Sequence, residues 1–309
     1  MRIVLIGPGA LGCLLAASLA LEVGKDHDIR LLDHDPDRAA RLASQGLILE
    51  KEGRRRPCHP PVTADPMAAG RADIVLLCVK SGATAAGFAL AAGLLAPGSI
   101  LVTLQNGIGH LELLGDFPFP VALGVTSLGA TLTGPGEVRY AGRGPTRLGF
   151  ITPPPAGSAK LADHLAALLN RADIATTVVD NILEHVWAKL LVNTGINALT
   201  AILGCPNGEL PAAPENRERL SRAVREAEAV ARANHIAIRR DPVEATLAVC
   251  RATAGNISSM LQDIRNRKPT EIDAINGAVV REGHRLGIPV PMNEELVRSV
   301  RAIESRYVL

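Results

Sequence analysis

Three side chains in one stretch have the types and spacing to do chemistry together. Within His185–Leu199, Lys189, Asn193 and Asn197 recur every four residues, which puts them on one face of a helix. Val186, Leu190, Leu191, Val192 and Ile196 occupy the other faces, so the helix can be buried while one stripe stays polar. An ammonium can polarise a carbonyl oxygen or give it a proton. Two amides can hold a carboxylate or a hydroxyl. A solvated face more often carries mixed charges, so one Lys with two Asn reads as the wall of a polar cleft. From this window alone, a partly exposed stripe with ordinary hydrogen bonds accounts for the pattern at least as well.

The elements before this helix read as a nucleotide-binding half. Arg2–Ile6 is a short β-rich apolar run, followed by Gly7-Pro8-Gly9-Ala10-Leu11-Gly12 and an Ala/Leu-rich helix to about Glu22. This is G-x-G-x-x-G with a strand before it and a helix after it. Its glycines allow a tight turn and close approach of the backbone to a pyrophosphate. The helix N-terminus turns free N–H groups and a positive dipole end to the phosphates. A second strand, Ile29–Asp33, ends in a carboxylate about 20 residues on, the place for an acid that binds ribose hydroxyls and disfavours a 2′-phosphate. His34, Arg38 and Arg41 follow, and a cation there can instead hold a 2′-phosphate. Asp33 can also serve as a helix cap, with Asp35 competing for that role.

Further strands end in polar residues, and open parallel sheets bind ligands beyond the carboxyl ends of their strands. The buried-type run Asp73–Val79 leads to Lys80, and Ile100–Leu104 leads to Gln105-Asn106-Gly107. Lys80 reads equally as a surface lysine, and Asn-Gly as a turn. Arg54-Arg55-Arg56 reads as a solvated loop between edge strands. Strands and turns continue through Ile151, a helix spans Ala159–Asn170 and a last strand Ile174–Val179, placing the end of the first domain near Asp180. Beyond it the strand signal stops. Helical periods cover Asn216–His235, Pro242–Ala252, Asn256–Arg265 and Asn293–Ser305. Thr270-Glu-Ile-Asp273 resembles a capping box opening a helix to about Leu286. The expected fold is an α/β Rossmann-type N-terminal domain (1–180) followed by an all-α C-terminal domain (181–309).

Composition narrows the function classes. The 309 residues carry a formal charge of +2 and only 2 % aromatics, which gives neither a basic patch nor a stacking platform for nucleic acid. Five cysteines, Cys13, Cys58, Cys78, Cys205 and Cys250, are odd in number and lack C-x-x-C spacing. That argues against a zinc site or disulfide framework and fits a reducing cytoplasm. The apolar N-terminal strand is too short for a signal peptide, and no apolar run reaches the length of a membrane span.

With these features in view, the chain resembles the ketopantoate reductase (2-dehydropantoate 2-reductase) family along nearly its whole length. The most specific blocks are Trp187-Ala-Lys189-Leu-Leu-Val-Asn193-Thr-Gly-Ile-Asn197-Ala-Leu-Thr, Cys205-Pro-Asn207-Gly-Glu-Leu, Ser258-Ser-Met-Leu-Gln-Asp-Ile-Arg265, Thr270-Glu271-Ile-Asp-Ala-Ile-Asn276-Gly and Gly287-Ile-Pro-Val-Pro-Met-Asn293. The resemblance implies a two-domain reductase of a small 2-keto acid, with its active site in the cleft between domains. It implies Lys189 as proton donor and Glu271 as the active-site glutamate. It implies Asn193, Asn197, Ser259 and Asn106 as substrate-binding residues, with Lys80, Asn106 and the Gly7–Gly12 turn on the cofactor. Taken singly, Glu271 reads as a first-turn carboxylate at a helix dipole and Ser259 as a backbone-bonded helical serine. The implied cofactor is NADP(H); Leu32-Asp33-His34-Asp35 stands where many members carry an arginine, which brings NAD(H) in as the alternative. Other expectations are reduction of another 2-keto acid or an imine, as in opine-type dehydrogenases, and a dinucleotide-binding regulator without turnover. A homodimer through the helical half is compatible with the sequence.

Overall fold

In the computed structural model, which describes residues 1–307, the chain falls into two units. The first comprises residues 1–105 and 112–182, and the second residues 106–111 and the chain from Leu183 onward. In chain order the first unit contains β1 (Arg2–Ile6), α1 (Ala10–Val23), β2 (Asp28–Leu32), α2 (Pro36–Gln45), β3 (Leu47–Lys51), β4 (Arg54–Cys58), β5 (Val62–Thr63), α3 (Pro66–Ala69) and β6 (Ala72–Leu77). It continues with α4 (Thr84–Leu94), β7 (Leu95–Thr103), β8 (Val121–Thr126), β9 (Gly129–Gly134), β10 (Glu137–Gly142), β11 (Thr146–Phe150), α5 (Ala156–Arg171) and β12 (Thr176–Val178).

Eight strands form one sheet in the order β12-β11-β8-β7-β6-β1-β2-β5. All neighbours are parallel except β8 and β11. β1 sits between β2 and β6, with Ile3 opposite both Ile29 and Ile74. The central strands are apolar without alternation because the sheet is covered on both faces. On one face, α1 and α5 supply Leu14, Leu19, Leu165 and Leu169; on the other, α4 supplies Phe88, Ala91 and Leu94. This packing fixes the carboxyl ends of β1, β2, β6 and β7 side by side.

A second sheet runs β4-β3-β10-β9. The arginine run expected as a loop is β4 itself, paired antiparallel to β3. An exposed edge strand tolerates charge on its side chains, because its backbone does the pairing. Arg55 meets Glu137 at 2.8 Å and Arg56 meets Glu22 at 2.5 Å, exposed pairs that contribute little stability.

The second unit is helical: α6 (Ile182–Leu203), α7 (Pro214–Ala233), α8 (Pro242–Ala252), α9 (Ser259–Arg265), α10 (Asn276–Leu286) and α11 (Pro291–Glu304). Gly195 lets α6 lie close to its neighbours, since a Cβ there would meet Val224 at 2.7 Å and Thr246 at 3.2 Å. Among the described residues α6 alone is long and apolar enough to cross a membrane, and 67% of its most apolar window is buried inside the fold. Thr270 does not open α10. Its hydroxyl accepts from the Ile272 N–H at 3.2 Å, a two-residue bond of turn type, and the helix begins only at Asn276. Meanwhile the Ala274 carbonyl accepts from the Ile108 N–H at 3.2 Å.

Candidate active site

The first unit builds a turn fit for a dinucleotide. Gly7 adopts φ +99°, and a Cβ on it would meet Val79 at 2.9 Å; one on Gly12 would stand 2.0 Å from the Gly7 carbonyl oxygen. Both contacts demand glycine. Gly9 differs: it is exposed, with open space where a Cβ would sit. It precedes α1, whose first turn has neither a side-chain cap nor an acidic residue, so its N–H groups are available to phosphate oxygens. Pro8 and Gly12 are buried, while Ala10 and Leu11 are half-buried. Burial pushes the Cys13 and Cys78 thiols to about 12, so these neighbours stay protonated.

At the end of β2, Asp33 is fully buried and doubly bonded to Arg38, Nε to Oδ2 and Nη2 to Oδ1, both at 2.5 Å. Oδ1 also accepts from the Asp35 N–H at 3.2 Å. Asp35, not Asp33, caps α2 by accepting from the Arg38 N–H at 3.0 Å. Bonding to Asp33 raises the Arg38 pKa further. Lys80 stands exposed just past β6, at the start of a 3-10 turn, Ser81–Ala83.

The second unit brings together residues far apart in sequence. Lys189 lies on α6, and its Nζ donates to Asn106 Oδ1 at 2.6 Å. Asn106 Nδ2 donates to Glu271 Oε2 at 2.9 Å. The amide therefore bridges ammonium and carboxylate, and its orientation follows from the partners, since a lysine only donates and a carboxylate only accepts. Asn106 reaches this place because residues 106–111 leave the sheet and pack on the 271–275 turn. Gly107 has φ +78°, and a Cβ on it would lie 2.0 Å from the Ala274 oxygen. Burial lowers the Lys189 pKa to about 8, while the Glu271 charge pulls it upward.

Asn193 is half-buried and Asn197 buried on α6. Among the described residues neither side-chain amide makes a hydrogen bond, so both keep their donors and acceptors for a ligand. Ser259 is exposed at the first position of α9, and its hydroxyl is likewise unpaired among the described residues. Its neighbour Ser258 is the structural one, buried, capping α9 through the Leu261 N–H at 3.1 Å and bonded to Thr200 at 2.7 Å. No group of three or more His, Cys, Asp or Glu among the described residues is placed to hold a metal ion.

Comparison with known proteins agrees on both units. The family description "Ketopantoate reductase PanE/ApbA" matches residues 3–153, and "Ketopantoate reductase PanE/ApbA C terminal" matches residues 181–304. The chain belongs to the ketopantoate reductase family. The 2-dehydropantoate 2-reductase of Halobacterium salinarum is 38% identical over 304 residues, covering 97% of this chain and 98% of its own. That of Escherichia coli O157:H7 is 32% identical, covering 99% and 96%. Among solved structures, a ketopantoate reductase from Ralstonia eutropha JMP134 superposes with a TM-score of 0.90 at 32% identity over 100% of both chains. A D-mandelate dehydrogenase with NADH and anilino(oxo)acetate gives 0.90 at 25% identity, again over 100% of both.

Two side chains of this ketopantoate reductase fold have partners that sequence reasoning did not anticipate. Arg38, noted as a cation able to hold a 2′-phosphate, instead occupies both oxygens of Asp33. Gln105, next to Asn106, bonds Thr103 at the end of β7, Val79 just past β6 and Thr84 at the start of α4; its position just past a strand terminus was the available sign.

Proposed function

We propose that this protein reduces 2-dehydropantoate to pantoate with a reduced nicotinamide dinucleotide. The observation that carries the reading is the Lys189–Asn106–Glu271 relay, with two amides on the same face of α6 whose side chains make no hydrogen bond among the described residues. The residues present fit the cofactor: the Gly7–Gly12 turn and the uncapped start of α1 would hold the pyrophosphate, with Lys80 and Asp33 at the neighbouring strand ends. When bound, the reduced nicotinamide supplies the hydride to the keto carbon. Lys189 donates the proton to the oxygen that becomes negative, as general acid. A pKa of about 8 suits that task, since the group is charged at neutral pH yet gives its proton up readily. Asn106 fixes the ammonium and ties it to Glu271, whose charge keeps it protonated. Asn193, Asn197 and Ser259 supply the donors and acceptors that a carboxylate and a hydroxyl need.

For the cofactor's ribose, the Asp33–Arg38 pair favours NADH over NADPH. Drawing Arg38, itself partly exposed, onto a 2′-phosphate would strip its partner from a fully buried carboxylate, and a buried charge left without its partner is penalised. An unphosphorylated ribose makes no demand on Arg38 and leaves the ion pair in place. The test is loss of reduced-nicotinamide absorbance with 2-dehydropantoate, run with NADH and NADPH in parallel. Turnover with NADH at least as fast as with NADPH is expected. The reverse order rejects the reading of Asp33, and nucleotide binding without turnover rejects the substrate and sends the search to other 2-keto acids and imines. Lys189→Ala is expected to lower kcat by about 10²–10⁴-fold with nucleotide affinity nearly unchanged; near-normal turnover excludes it as proton donor.

A further inference from the structure

Gln105 makes three bonds that no role in the proposed reaction explains. Its Nε2 donates to the Val79 carbonyl at 3.2 Å and to Thr84 Oγ1 at 2.7 Å, and its Oε1 accepts from the Thr103 hydroxyl at 3.2 Å. Thr84, buried at the start of α4, passes the chain on by donating to the Ser81 carbonyl at 2.7 Å. One side chain just past β7 thus reaches both flanks of Lys80, Val79 before it directly and Ser81 after it through Thr84. Val79 in turn backs the dinucleotide turn, since a Cβ on Gly7 would meet its side chain at 2.9 Å and its nitrogen at 3.2 Å. The very next residue is Asn106, where the chain passes into the second unit to be held by Lys189 and Glu271.

We propose that Gln105 is a positioning residue for the reaction: it fixes the Lys80 turn and the wall behind Gly7, and with them the point from which Asn106 departs. This rests on the function proposed above. Only an amide suits the place. It must donate twice and accept once, and neither a carboxylate nor an apolar side chain of similar length can do both. Loss of Gln105 should therefore be felt at two distances, in nucleotide affinity through the Val79–Ser81 turn and in the protonation of Lys189 through Asn106.

The experiment compares Gln105→Leu, Gln105→Glu, Thr84→Val and Thr84→Ser with wild type in the full-length protein. Nucleotide Kd is read by calorimetry with NADH and NADPH, kcat is read as a function of pH, and Tm is read alongside. Gln105→Leu and Gln105→Glu are expected to weaken nucleotide binding by about tenfold or more, to lower kcat, and to move the upper pH break away from its wild-type position. Thr84→Val should act in the same direction more weakly, and Thr84→Ser, which keeps the hydroxyl, should restore wild-type values. A lowered Tm with wild-type Kd and pH profile would reduce Gln105 to a purely structural residue and overturn the proposal. Should the Gln105 variants not fold, Thr84→Val against Thr84→Ser decides: equal Kd and pH profiles overturn it, and a hydroxyl-dependent loss supports it. If wild type turns over no keto acid, the functional reading fails by itself, while the nucleotide Kd values still report on Gln105.

Discussion

Replacing Glu271 by Gln asks how the buried ammonium keeps its proton. Burial lowers Lys189 to about 8 against the opposing pull of Glu271. The two charges are joined through one amide by bonds of 2.6 and 2.9 Å. With the amide's own width this sets them about 7 Å apart, where an effective dielectric constant of ~20 gives an attraction of roughly 2 kcal/mol. One pKa unit corresponds to about 1.4 kcal/mol, so removing the charge should lower the Lys189 pKa by about 1.5 units. Gln is the same size and still offers an oxygen to Asn106 Nδ2, so the geometry is kept while the charge goes. A general acid works only when protonated, and kcat for reduction must fall as pH rises through its pKa. In wild type the rate holds below about pH 8 and declines above it; in Glu271→Gln the decline begins about 1.5 units lower. At pH 8 the variant would be slower by roughly tenfold from protonation alone, and the gap should close toward low pH. The assay is initial rates of keto-acid reduction at saturating substrate and nicotinamide over about pH 5.5–9.5. A break at the wild-type pH, or above it, would refute the assignment of Glu271 as the charge that sustains the lysine.

Two further outcomes are expected. Gly107→Ala places a Cβ 2.0 Å from the Ala274 oxygen at φ +78°. The left-handed backbone alone costs about 1–2 kcal/mol, so the 106–111 segment should be displaced and kcat lost with Asn106. Wild-type kcat with unchanged Tm would show that this close approach is dispensable. His110, buried in the same segment, has its pKa lowered by desolvation from 6.5 to about 4. A folded-state pKa below the unfolded one means the unfolded chain takes up the proton first. The group's contribution is whole above about pH 6.5 and declines as pH falls to about 4, by roughly 3 kcal/mol in all. Urea unfolding of His110→Gln against wild type should show a shallower loss of stability across that window, and parallel curves would count against a neutral buried imidazole.

Several parts of this molecule were legible as sequence because one local pattern determines them. The Gly7–Gly12 turn lies between an apolar run and an Ala/Leu-rich helix, and the contacts that require glycine are made by the turn on itself, Gly12 on Gly7, and by Gly7 on Val79 just past β6. The four-residue stripe on α6 needed only helical geometry. Other features depend on distant partners. Asp33 is recognisable at a strand end, but that Arg38 takes both its oxygens depends on how α2 turns back. Thr270 spells a capping box, yet the residues after it form a turn that receives the 106–111 segment, and the helix starts later. Arg54–Arg56 look like a loop because charge dominates their side chains, while backbone pairing with β3 makes them a strand.

Asn106 shows most clearly why such limits are physical. Seen from the sequence, Asn-Gly after a strand is a turn signal, and the first domain is its natural home. In the fold it belongs with the helical unit, and the reason it is an asparagine lies in residues 83 and 165 positions away. Between an ammonium that only donates and a carboxylate that only accepts, the bridging group must accept at one end and donate at the other. Aspartate would face Glu271 with a like charge, and leucine would take away the hydrogen bond that the Lys189 ammonium makes at position 106. Glutamine has the right amide on a stem one carbon longer, and would have to fold back to reach both partners from the same backbone position. The residue type at 106 is thus dictated by two charges that become its neighbours only once Gly107 has turned the chain onto Ala274.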